Sequence, residues 1–244
     1  IIKSEAVADN FNRILKLIIM SWIERPERKS QNPAKKFLEW KSDKKCFVYY
    51  DKEAKENVEV ALPFNFVILE HYHTVKGWHD KSESGIYSNE VFAIGSDEVE
   101  VKAFKGGLIA KGLYKEIKGQ IKDAGAHYSR SIYAVTKDLE IVNIQLKGSG
   151  VSAYSDFIND FGDNNFDKHW VKISEAKELK KGKVNYSIPV FEKGQAIKDK
   201  SKLKPFAEEL GEYMAEYLHG TPPNRDNSAV DKYEAEKDDD DLAF

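Results

Sequence analysis

Basic side chains alternate with aromatic rings repeatedly along this chain of 244 residues. Lys44 and Lys45 precede Phe47, Tyr49 and Tyr50. Tyr72 and Lys76 precede Trp78, and Tyr87 follows. Lys102, Phe104 and Lys105 run into Gly106 and Gly107, where the backbone itself can be approached closely. Tyr128, Arg130 and Tyr133 share one short segment. Cations that track phosphates, next to flat rings on which bases stack, are what binding to a nucleic-acid single strand requires; each stacked base contributes about 1–3 kcal/mol. A further cationic set is Lys111, Lys115, Lys118 and Lys122, spaced by four, three and four residues. On a helix that spacing makes one stripe, opposite a stripe of Leu113, Ile117, Ile121 and Ala124.

Signatures of catalysis are missing. No glycine-rich stretch carries the Lys-Ser/Thr of a phosphate-binding loop, and neither a Gly-x-Ser-x-Gly elbow nor a His-Glu-x-x-His pair occurs. Glu70, His71, His73, His79 and Asp80 form the one cluster with metal-like composition. His71 and His73 share a strand face, so two imidazoles could converge. Histidines paired on strands are commoner than ligands, so neither metal nor cofactor is expected.

Hydrophobic residues at 41% and aromatics at 12% support a real core. The net charge of -3 conceals a polarity. From Thr221 onward eight acids face three bases, leaving 33 acids and 35 bases before it. A nearly neutral body with an acidic arm differs from a protein that coats nucleic acid with uniform positive charge. Cys46 is the only cysteine, so an intrachain disulfide is impossible and a cysteine zinc site is excluded. A reducing, cytoplasmic compartment is the expectation. The run from Ile14 to Met20 is too short to span a membrane.

The elements that must position these residues are mostly strands. Residues 26–45 read as an extended arm with one helical turn. Strands are expected at Cys46–Tyr50 and Val58–Leu62 as a hairpin, then at Phe64–Tyr72, Ile86–Ile94 and Val99–Phe104. A helix over Leu108–Ala124 stops at Gly125. Strands Ser131–Thr136 and Leu139–Leu146, a helix Val151–Phe161, a hairpin of His169–Ser174 and Val184–Phe191, and a helix Ser201–Leu218 complete the body. Phe47, Phe64, Phe66, Phe92, Phe157 and Phe206 are expected in the core. The class is mainly β with helices (α+β). A helix between strands points to an OB-fold-like barrel, elaborated with extra hairpins and helices. A different α+β sheet is the alternative that periodicity leaves open. Three segments are expected: residues 1–19 as an upstream extension or N-terminal helix, with Met20 as the natural start; 20–220 as the binding domain; and 221–244 as a disordered acidic tail.

The tail ends Asp238, Asp239, Asp240, Asp241, Leu242, Ala243, Phe244. This ending resembles the C-terminal tip of single-stranded DNA-binding proteins, an acidic run closed by Ile-Pro-Phe in bacteria. Leu242 stands for the Ile, Ala243 departs from the Pro, and Phe244 and the acids match. The body is similar to such proteins of tailed phages that infect Bacteroidetes, at Lys44–Tyr50, Gly77–Asp80 and Gly85–Glu90. The resemblance implies a sequence-independent single-stranded DNA-binding protein in phage replication, recombination and repair. It also implies a tail that recruits partner proteins through Asp238–Asp241, Leu242 and Phe244. No membrane partner is expected, and homo-oligomers stay open. The alternatives are a recombination mediator or annealing protein, a metal-dependent nucleic-acid-processing enzyme, and an interaction protein whose tail docks on a basic assembly.

Overall fold

The computed structural model describes residues 31–219. The expected extension at 1–19 and the acidic tail at 221–244 lie outside them. Eleven strands join in one sheet. They are β1 (Lys36–Lys41), β2 (Cys46–Asp51), β3 (Glu56–Val60), β4 (Phe64–His79), β5 (Ser84–Ser88), β6 (Glu98–Ala103), β7 (Gly107–Leu113), β8 (Ala126–Thr136), β9 (Ile141–Lys147), β10 (His169–Lys181) and β11 (Val184–Ala196). Among the described residues three α-helices accompany them: α1 (Tyr114–Asp123), α2 (Ser149–Phe161) and α3 (Lys204–His219). The order is β3-β2-β1-β9-β8-β4-β5-β6-β7, with β10 on the other edge of β4 and β11 beyond it. Only β1 and β9 pair in parallel among these ladders.

The fold is α+β and mainly β, as expected, but the sheet is open and does not close into a barrel. The reason is β4. Its 16 residues pair with β8 along most of one edge, while its other edge takes β10 at Phe64–Phe66 and β5 at Lys76–His79. One strand thus feeds two diverging branches, and no ladder returns to β3 or β7. The β11 branch does approach β1 through side chains. The Ser187 amide donates to Ser42 Oγ at 2.6 Å, and the Trp40 indole N–H donates to the Ser187 carbonyl at 2.9 Å.

Alternation along β4 and β8 sorts residues onto two faces. His71, His73, Val75 and Gly77 pair with Ile132, Arg130, Tyr128 and Ala126 on the face that carries α1 and α2. There Ile117 and Ile121 of α1 pack on Val75, Val99, Val101 and Ala110, while Val151 and Tyr154 of α2 pack on Phe66, Ile132 and Ile144. On the other face Leu210, Tyr213, Met214 and Tyr217 of α3 cover Val67, Tyr72, Tyr133 and Val135. Each alternate strand position therefore buries apolar surface, at about 25 cal/mol per Å².

Several element boundaries differ from expectation. Residues 108–113 are strand β7, not the first turns of the helix; Val101 pairs with Ala110 and Glu100 with Lys111. A strand can keep Leu108 on the surface, 60% exposed, where a core-facing helix would have had to bury it. The arm at 26–45 contains β1, held by β9 and β2 on its two edges. β4 runs on past Tyr72 to include Trp78, and β5 ends at Ser88 well short of Ile94. Phe47, Phe64 and Phe66 are buried and Phe157 and Phe206 partly so, but Phe92 is 55% exposed, its ring resting on Tyr72.

Candidate nucleic-acid interface

Cross-strand partners point to one face, so register alone builds a row across four strands. His127 of β8 pairs with Lys76 of β4, Lys76 with Tyr87 of β5, and Tyr87 with Lys102 of β6. All four lie on the α3 face, beyond the part that α3 covers. The adjoining row has Trp78 opposite Gly85, and the Phe104 amide donates to the Gly85 carbonyl at 3.0 Å. Gly85 places no side chain between Trp78 and Phe104. Trp78, Tyr87, Phe104, Lys76, Lys102 and His127 are all half-buried. Lys105 is exposed at the end of this row, its amide held by Ser84 Oγ at 3.0 Å.

The strip reaches further than the sequence suggests. Lys76 Nζ stands 5.8 Å from the centre of the Phe37 ring, although β1 and β4 are three places apart in the sheet. Phe37 registers with Glu70 across β9 and β8, six residues along β4 from Lys76, so on a flat sheet the backbones of Phe37 and Lys76 would stand about 24 Å apart. Twist therefore makes this face concave along the diagonal from Phe37 to Lys76. On the β7 side, Lys102 and Lys111 both bind the Glu100 carboxylate, Lys111 at 3.2 Å. Those two hydrogen bonds hold the Glu100 pKa below the usual carboxylate range, and the Glu100 bond raises that of Lys102. Surface pairs of this kind are worth roughly 0–1 kcal/mol, so an incoming phosphate can replace the carboxylate at small cost.

Other expected contacts lie elsewhere. Lys111 is on β7, and only Lys115, Lys118 and Lys122 are on α1; those three are exposed on the α1 face, the opposite side of the sheet from Trp78. Lys44 and Lys45 occupy the β1–β2 turn, where Lys44 pairs with Glu59 at 3.0 Å and Lys45 with Glu178 of the β10–β11 hairpin. Tyr49 packs against the core with Lys36 Nζ 5.3 Å from its ring centre. Tyr133 cannot stack on a base. It is 1% exposed and donates at 2.9 Å to Glu90, itself 5% exposed, which also accepts from Ser131. Tyr133→Phe is expected to leave a Glu90 oxygen buried without its donor and to cost about 1–3 kcal/mol in urea unfolding. His127 and Phe37 were missed by sequence reasoning. Extending the alternation of β8 back to Ala126 would have found His127; only the bend of the sheet brings Phe37 in.

Tyr128 and Arg130 face α1 and α2 beside His73 and His71. An Arg130 terminal N–H donates to His73 Nε2 at 2.6 Å, and the other ring nitrogen of His73 meets the Tyr128 hydroxyl at 2.5 Å. His71 Nδ1 shares a 2.9 Å hydrogen bond with the Tyr154 hydroxyl. Both His73 ring nitrogens are thus engaged, and among the described residues no three His, Cys, Asp or Glu side chains converge as metal ligands. Asp80 opens the turn after β4, nine residues along from His71, at about 3.3 Å per residue of strand. Burial, then the Arg130 charge, pushes both imidazole pKa values down to about 4. The unfolded rings take a proton near pH 6.5 that the folded rings refuse, so their contribution is present above pH 6.5 and lost as pH falls to about 4. Denaturant midpoints are expected to drop between those pH values, and less so in a His71→Gln, His73→Gln variant.

No helix among the described residues is long and apolar enough to cross a membrane. No family model, curated protein or solved structure matches this chain.

Proposed function

We propose that this domain binds single-stranded DNA without base specificity, acts in phage DNA replication and recombination, and recruits partner proteins through the segment Asp238–Phe244. The observation that carries the reading is the row His127, Lys76, Tyr87, Lys102, with Trp78 and Phe104 alongside. It offers cations and rings at the 4.8 Å spacing of neighbouring strands, on a surface that is concave toward Phe37. A sheet face of this kind presents stacking platforms to unpaired bases. It provides no protruding helix to enter a major groove. No metal or cofactor enters the reading.

Titration of Trp78 fluorescence with oligo-dT and with duplex of equal length tests it, using Trp78→Phe to assign the signal among the four tryptophans. Quenching and tighter binding by the single strand are expected; tighter binding to duplex would sink the proposal. Salt dependence then locates the phosphates. Each neutralised phosphate of a single strand contributes about 0.7 to the slope of log affinity against log salt. Replacing Lys76 and Lys102 by Ala is expected to flatten that slope by about 1.4 units. Replacing Lys115, Lys118 and Lys122 by Ala reports whether the strand also wraps past β7 onto α1. A slope untouched by the first pair would show that the strip does not carry the DNA.

A further inference from the structure

Arg130 is the only arginine among residues 31–219, and its one hydrogen bond there is to the neutral His73. Its Nε is buried without a hydrogen-bond partner. A guanidinium carries five N–H donors and is charged at every relevant pH, so a half-buried one normally meets a carboxylate. Here it meets rings. Tyr128 comes from its own strand, His71 and His73 from β4, Tyr154 from α2, and Tyr114, at the start of α1, stacks obliquely on Tyr128 at 5.8 Å. Glu70 accepts from the His71 amide at 2.9 Å, Asp163 acts through space on His71 and Tyr154, and Asp97 on His73; among the described residues none of these three carboxylates bonds to Arg130. A cation that no carboxylate neutralises among the described residues, with a spare donor and beside hydroxyls and imidazoles that can donate once protonated, is poised for an oxyanion.

We propose that Arg130, His73 and His71 form an oxyanion site that takes one phosphate group on the α1–α2 face, separate from the Trp78 strip. Two tetrahedral oxygens can accept from the Arg130 fork while a third reaches the imidazoles. The N–H···N bond from Arg130 to His73 Nε2 is the feature that changes. When His73 takes a proton on Nε2, that bond is lost, because both groups then donate. An oxyanion inserted between them converts it into two charge-assisted N–H···O bonds. Phosphate binding and proton uptake at His73 are therefore linked, each favouring the other.

The test follows the His73 and His71 ring resonances of the full chain by NMR, with inorganic phosphate added at constant ionic strength. Phosphate is expected to move both rings and to raise the His73 midpoint above its value of about 4. Affinity should rise as pH falls. Arg130→Gln is expected to abolish the response, and Arg130→Lys, which keeps charge but loses the fork, to weaken it by about tenfold. Because either variant can disturb packing, the chloride-matched comparison on the unaltered chain decides independently. No response at millimolar phosphate, an equal response to chloride, or the same response in folded Arg130→Gln would each overturn the site. Oligo-dT with 5′-hydroxyl ends and oligo-dT with 5′-phosphate then separate the two sources: equal responses assign a backbone diester, and a response to the phosphorylated strand alone assigns a terminal phosphate. The reading sits at the histidines, so its failure is distinguishable from failure at Trp78.

Discussion

Gly77→Ala is expected to destabilise the fold by about 3 kcal/mol or more, enough to leave a large unfolded fraction in a domain of ordinary stability. A Cβ at this position would stand 2.3 Å from the Gly125 carbonyl oxygen and 2.5 Å from Ala126 Cα. Both are backbone atoms, so no side chain can swing aside. The constraint is mutual, because Gly125 has φ +86° and a Cβ there would meet the Trp78 carbonyl at 2.4 Å. Two glycines thus let the end of β4 lie against the turn that leaves α1. That contact also carries the hydrogen bond from the Trp78 amide to Gly125 O at 3.2 Å. Gly95→Ala is the matched control, since nothing lies within 4 Å of its added Cβ. Urea unfolding of the two variants is expected to separate them by most of that difference; equal midpoints would show that the close approach is not required.

Trp78→Ala combined with Tyr87→Ala is expected to lower affinity for oligo-dT by about 30-fold or more. If each ring stacks on one base at about 1–3 kcal/mol, the pair contributes about 2–6 kcal/mol. The side chains are neighbours, so their effects need not add. Neither belongs to the buried clusters, and thermal unfolding of the double variant is therefore expected to remain cooperative, with a small shift in midpoint. Retained affinity in a folded double variant would remove the strip from the proposal. Loss of the fold would place the rings in a structural role.

Local pattern accounts for much of this architecture. Alternation made Val99, Val101 and Ala103 one face and Glu100 and Lys102 the other, and β6 carries them so. Helical spacing placed Ile117 and Ile121 inward and Leu210, Tyr213, Met214 and Tyr217 on one buried side. The polar turn between β2 and β3 and the Lys-Gly turn between β10 and β11 marked both hairpins. These signals are legible because each is set within a few residues by the period of the backbone.

Where the site assembles was decided by tertiary structure. Lys76, Tyr87, Lys102 and His127 meet only because β4, β5, β6 and β8 are adjacent in this register, and a shift of one residue would turn each side chain to the other face. Tyr133 and Arg130 looked alike in sequence, aromatic and basic in one segment. They occupy opposite faces of β8 because they are an odd number of residues apart, and α3 then buries one of them. Lys111 fell in the lysine stripe by spacing, yet pairing with Glu100 drew it into β7, because a sheet edge can use a strand that helical periodicity would also accept. Residue types and short-range period thus determined which chemistry is available to this chain. Strand order, register and the bend of the sheet decided which of those groups share a surface, since pairing partners distant in sequence leave no local trace.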